Sequence, residues 1–263
     1  MRTRFMATVL LAGSFAAGPS GWAQAGLTPP QIGFLRDRAQ NVRPLLGISG
    51  TFWFGGAVAS GVVSAASSGS ATMLKTEDSL QVLDALGHPA GLAWTAPGRA
   101  LFAFTPAGAP ALAWLPDTLE LLRWNGVRFE PTSASAANLN GSVVSVAAPD
   151  SSRAAFLVQR GRQLWRVDLS LFDGGVLFAA NLPGASAPAL LFDDGTLLYA
   201  GKSALVLRGP QGEERTIAFS GSAAQFTPMG RDWILVENSQ RRGGLRGLRV
   251  STGKLFELPE VAQ

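Results

Sequence analysis

The sequence predicts an all-β fold, and three observations carry that prediction. Beyond residue 42 the chain shows almost no apolar pattern of period 3.6. Its apolar residues fall in short runs, alternating or fully apolar, broken by Gly, Pro, Asp and Asn. Five tight-turn signals follow one another: Ser67-Ser68-Gly69, Ala96-Pro97-Gly98, Pro149-Asp150-Ser151, Asp193-Asp194-Gly195 and Pro228-Met229-Gly230. Each has a run of small residues before it and a stronger apolar run after it. Finally, the third residues of these turns (69, 98, 151, 195 and 230) are separated by 29, 53, 44 and 35 residues, a mean near 40. A period near 40 filled by four short strands is that of one β-propeller blade. The expectation is a single β-propeller of five to six four-stranded blades over residues 43–263. A β-sandwich is the alternative, but it requires no such recurring unit.

The elements follow in chain order. Residues 1–25 carry Arg2 and Arg4, then an apolar stretch, then Ala23-Gln24-Ala25, the three parts of a cleavable secretory leader. Its apolar part is too short to cross a bilayer as a helix. Ser14 stands where a lipoprotein leader has cysteine, so no lipid anchor is expected. The expected location is periplasmic or secreted. Residues 26–42 read as a polar linker with one helical turn. Residues 43–59, with Thr51-Phe52-Trp53-Phe54 as a strand, complete a further blade or close the ring. Trp94, Trp114, Trp124, Trp165 and Trp233 lie in or beside strands and are expected to pack between blades. Small residues before each turn suit the crowded position next to the axis. Stacking around an axis is what buries both faces of each twisted sheet.

Two stretches, residues 92–102 (LAWTAPGRALF) and 147–157 (AAPDSSRAAFL), resemble the strand–turn–strand openings of bacterial β-propeller repeats. The resemblance spans roughly residues 56–260 and implies the fold. None of the turns is a full Pro-Asp-Gly, and the Gly-His and Trp-Asp pairs of the eukaryotic WD class are missing, so the resemblance brings no catalytic residue with it.

Composition narrows the chemistry. The 263 residues include no Cys, one His and one Tyr, which excludes thiol catalysis, disulfide scaffolds and multi-His metal centres. Net charge is +4, and falls to +2 without residues 1–25. So small an excess gives little drive toward nucleic acid. His88 is the sole nitrogen base for a serine nucleophile, and it sits in a turn signal. Asp117, Asp150, Asp168, Asp173, Asp193, Asp194, Asp232 and Glu237 are candidate paired carboxylates, but most fall where Asp stabilises a turn. No calcium-loop or phosphate-loop spacing is present, so neither metal nor cofactor is expected.

One functional pattern remains. In an up-and-down blade the first–second and third–fourth turns lie at one end, with the second–third turns and inter-blade links at the other. Arg160, Arg162, Lys202, Arg241 and Arg242 fall in second–third turns. Asp150, Asp173, Asp193, Asp194, Glu213 and Glu214 fall at the opposite end, as do Arg99, Arg153, Arg215 and Arg231. Glu77 and Asp78 join the basic end. The expectation is a monomeric, non-enzymatic propeller that binds a protein or other anionic partner on its basic face. The alternative is a hydrolase or lyase that uses carboxylates at the axis to cleave saccharides.

Overall fold

The computed structural model describes residues 29–48, 50–134, 139–239 and 244–259. The expected leader and two of the candidate cations, Arg241 and Arg242, lie outside these residues. Among the described residues there is no helix, so none long and apolar enough to cross a membrane.

Twenty-three strands form antiparallel meanders. Strands β1 (Gln31–Arg36), β2 (Val42–Ile48) and β3 (Thr51–Phe54) make a three-stranded sheet. Next come β4 (Val62–Ser67), β5 (Ala71–Thr76), β6 (Ser79–Asp84) and β7 (Trp94–Thr95). They are followed by β8 (Leu101–Phe104), β9 (Pro110–Leu115), β10 (Glu120–Trp124) and β11 (Phe129–Pro131). The next meander is β12 (Ser142–Asp150), β13 (Arg153–Arg160), β14 (Gln163–Ser170) and β15 (Val176–Asn181). Then follow β16 (Ala189–Leu191), β17 (Leu197–Ala200), β18 (Ala204–Arg208) and β19 (Glu214–Ala218). The last meander is β20 (Ala223–Gly230), β21 (Trp233–Asn238), β22 (Arg246–Arg249) and β23 (Lys254–Glu257). Its first strand meets β4 in a parallel pairing at Met229 and Ser67, which joins the two meanders into one eight-stranded sheet.

The expected count of five to six separate blades is thereby corrected. Hydrogen bonding gives four sheets of four or more strands, together with the three-stranded sheet. Two stacked sheets, the sandwich alternative, are not what forms. The first strands β4, β8, β12, β16 and β20 touch in a closed circuit, and β1 touches both β4 and β20. They begin at Val62, Leu101, Ser142, Ala189 and Ala223, in steps of 39, 41, 47 and 34 residues.

The fully apolar strand runs have a simple cause: each second strand serves two cores. On β13, Ala154, Phe156 and Val158 face a cluster with Trp114 and Leu112 of β9. Ala155 and Leu157, between them in sequence, face Leu197 and Tyr199 of β17. On β21, Ile234 and Val236 pack with Leu198 and Leu205, while Leu235 packs with Leu35 and Leu45. Successive strand residues point to opposite faces, so a strand buried on both sides must be apolar throughout. Trp114 meets Phe156 of the next sheet edge-on at 5.6 Å, as expected for inter-sheet packing.

Within the expected linker, the described residues 29–42 form no helical turn. Gln31–Arg36 is a strand paired with β2. Its Phe34 packs on Val62, Leu74 and Leu83, and its Leu35 packs with Met229 and Leu235. The β1–β3 sheet therefore fills the wedge between the first and last meanders. Gly33 makes the fit possible: a Cβ there would stand 1.6 Å from the Met229 carbonyl oxygen.

Candidate functional site

The two ends of the ring differ in how their charged groups are used. At the end that carries first–second and third–fourth turns, aspartates close the turns. Asp150 accepts from the Ser152 amide at 2.8 Å, from the Ser152 hydroxyl at 2.6 Å and from Arg153 Nε at 2.7 Å. Led by the Ser152 hydroxyl, these contacts lower its pKa to about 2. Asp194 accepts from the Thr196 amide and hydroxyl at 2.7 and 3.0 Å. Asp84 accepts from the amides of Leu86 and His88. Asp173 accepts from the Gly175 amide. Asp232 accepts from Ser251 and Arg249. Burial pushes the Asp232 pKa up, but those hydrogen bonds outweigh it and the pKa is lowered.

The axis itself holds a cavity of about 610 Å3. It is lined where first strands begin and second strands end: Ser142 opens β12, Ala187 and Pro188 precede β16, and Gln159 and Glu237 lie at the ends of β13 and β21. Its lining therefore reaches the end of the second–third turns, while Ala66, Thr227 and Pro228 carry it along β4 and β20 toward the other end. Ala, Val and Ser make up nearly half of its walls, with Leu, Phe, Pro and Gln among the rest. Two hydroxyls there join neighbouring sheets: Ser64 Oγ accepts from the Ala100 amide at 3.2 Å, and Ser145 Oγ accepts from the Leu191 amide at 3.1 Å. A smaller cavity of about 320 Å3 adjoins it, shares Gln159 and Ala187, and includes Arg162.

Three charged side chains line the axial cavity: Arg36, Arg99 and Glu237. None makes a hydrogen bond or ion pair with another described residue. The acid next to Arg36 does not neutralise it, because Asp37 is buried and turned to the Asn41 amide and Arg43 Nε, both at 2.8 Å. Arg99 corrects the sequence assignment. It lies on the link between β7 and β8, not in a first–second turn, so it joins the cavity end.

Of the residues expected on a binding face, Arg162 and Lys202 are exposed at this end, in the β13–β14 and β17–β18 turns. Arg160 is engaged in structure: its Nη2 donates to the Leu139 carbonyl at 2.8 Å, and its guanidinium lies 4.9 Å over the Trp165 ring. Lys75, fully buried on β5, is engaged more completely. Its ammonium donates to the carbonyls of Thr76, Glu77 and Ala96 at 2.7, 3.0 and 2.5 Å. Burial lowers its pKa, opposed by the charges of Asp78, Glu77 and Asp117.

The eight candidate carboxylates do not converge. Among the described residues Glu237 is the one acid that lines the axial cavity. Asp168 is held bidentately by Arg166 at 2.8 and 2.9 Å. No group of three His, Cys, Asp or Glu among the described residues is placed to hold a metal ion. Sequence reasoning listed Glu237 among candidate axial carboxylates but missed Arg36 as a cavity group. Arg36 lay in the supposed linker, and neither residue carries a motif.

No family model and no curated protein sequence matches the chain. Among solved structures it is similar to TolB from Acinetobacter baumannii, with 14% identity and a TM-score of 0.51 over 87% of this chain. The chain spans 64% of the length of that protein. It is equally similar to a protein of unknown function from Bacteroides caccae, with 12% identity and a TM-score of 0.51 over 88% of this chain and 94% of the other. Identities this low speak for fold alone, and with the circuit of first strands they establish a β-propeller-type architecture.

Proposed function

We propose that this chain is an exported, non-enzymatic β-propeller that serves as a binding and assembly module. Its anionic partner docks at the end of the ring that carries the second–third turns, which the lining of the axial cavity reaches. One observation carries the reading: Arg36, Arg99, Arg162 and Lys202 stand at that end without a hydrogen-bond or ion-pair partner among the described residues. Unpaired guanidinium groups suit carboxylate or phosphate oxygens, and their charge speeds the approach of an anion. Arg241 and Arg242, which the sequence also assigned to this face, lie outside the described residues. The leader pattern of residues 1–25 supports export. The saccharide-cleaving alternative needs two carboxylates at the scissile bond, and the cavity supplies Glu237 without a second acid among the described residues.

The test is binding of fluorescent poly-L-glutamate, followed by anisotropy, to the full chain and to an Arg162→Glu/Lys202→Glu variant. The expected result is at least a tenfold weaker affinity for the variant and a steep loss of binding with salt. Equal affinity for both proteins overturns the proposal.

A further inference from the structure

We infer that the axial cavity takes a small amphoteric organic acid, one that carries two carboxylates and one ammonium. The inference rests on the reading that this end of the ring binds anions, and it names what the cavity itself selects.

The first support is size. A cavity of about 610 Å3 lies within the range of small-molecule sites, roughly 300–1,000 Å3. The second is charge. Two arginines and one glutamate line one cavity, Arg36 and Glu237 half-buried and Arg99 exposed, and none of their side chains is paired with another described residue. A neutral sugar offers none of the three a counter-charge, and it covers the half-buried Arg36 and Glu237 without replacing their hydration, which is unfavourable. A ligand that is purely anionic satisfies Arg36 and Arg99 but is repelled by Glu237. The complement of two cations and one anion is two anions and one cation.

The third support is the way the site is built. Arg36 ends a strand anchored by Phe34 and Leu35 in two separate cores. Its neighbour Asp37 is already engaged by Arg43. The hydroxyls of Ser64 and Ser145 accept amide protons from the next sheet, so each keeps its own proton to donate to a ligand oxygen. The small wall residues leave room for a ligand body longer than one amino acid.

The test uses L-glutamyl-L-alanine, which carries two carboxylates and one ammonium, and its N-acetyl derivative, which lacks the ammonium. Each is titrated calorimetrically into the full chain and into Arg36→Met, Arg99→Met and Glu237→Gln variants. Thermal melts confirm that each variant is folded, and Arg36→Lys replaces Arg36→Met if the latter fails to fold. The free dipeptide is expected to bind at least tenfold more tightly than the acetylated one. Loss of either arginine fork weakens it at least tenfold, and Glu237→Gln removes the preference for the free amine. Equal affinity for the two dipeptides, or affinities unchanged in the arginine variants, overturns the inference. If no dipeptide binds while poly-L-glutamate still does, the amphoteric ligand is wrong and the anion-binding face stands. If neither binds, both readings fall.

Discussion

At one end of this ring aspartates are closed into turns; at the other, cations stand open. Asp84, Asp150, Asp173, Asp194 and Asp232 each accept hydrogen bonds from the turn they close or from the neighbouring one. Arg36, Arg99, Arg162 and Lys202 have no such work. The separation is not complete. Arg231 and Asp193 stay open at the turn end, and at the cavity end Lys75 is wholly engaged while Glu77, Asp78 and Asp117 act on it. The comparison teaches that formal charge is a poor guide to a docking face. What distinguishes the ends is whether a charged group already has its hydrogen bonds.

The largest expected effect tests whether the ring closes as described. Gly33→Ala places a methyl group 1.6 Å from the Met229 carbonyl oxygen, and the chain must move to admit it. Urea unfolding is expected to show a loss of more than about 3 kcal/mol, at the upper end of overpacking costs. A loss under about 1 kcal/mol shows that β1 does not lie against β20.

Next comes the contrast between an engaged cation and an open one. Lys75→Met takes the buried ammonium donor away from three carbonyls and is expected to destabilise by about 3 kcal/mol, with poly-L-glutamate binding unaltered. Arg162→Glu is expected to do the reverse, with stability changed by about 0.5 kcal/mol or less and binding weakened. If the two variants behave alike, the distinction between the ends fails.

A smaller effect is expected at Ser145, which is buried and accepts from the Leu191 amide of the adjacent sheet. Ser145→Ala orphans that amide, at about 1–2 kcal/mol. Amide exchange at Leu191 should quicken together with the drop in stability, and unchanged exchange refutes the inter-sheet bond.

The smallest concerns pH. The Asp150 pKa lies near 2, below its unfolded value of about 3.9. Its contribution is therefore full above pH 4 and is lost as pH falls toward 2. Because Asp150 is well exposed, screening keeps the effect on stability small. Ser152→Ala removes the leading cause, so carboxyl NMR titration should find the Asp150 pKa moved toward 3.9. An unmoved pKa assigns the shift elsewhere.

Much of the fold was legible because a strand buried on both faces has a distinctive sequence. The turns at Ser68-Gly69, Asp150-Ser151 and Asp194-Gly195 fall between β4 and β5, β12 and β13, and β16 and β17, as expected. Ala96-Pro97-Gly98 misled because a link between sheets uses the same turn residues as a hairpin. It separates β7 from β8, and the hairpin of that meander lies between Phe104 and Pro110. Strand β1 was hidden because part of the packing that fixes Gln31–Arg36 comes from residues near Met229, about 200 positions away. That Arg36 and Arg99 share a cavity with Glu237 was hidden for the same reason. Arg36, Arg99 and Glu237 are isolated in sequence, and only closure of the ring brings them to one space.

Amide chemical-shift mapping during titration of the full chain with poly-L-glutamate measures directly which end binds. Perturbations gathered at Arg36, Arg99, Arg162 and Lys202 are the expected result. Perturbations centred on the turns of Asp150, Asp194 and Asp232, or none at saturating ligand, contradict the account.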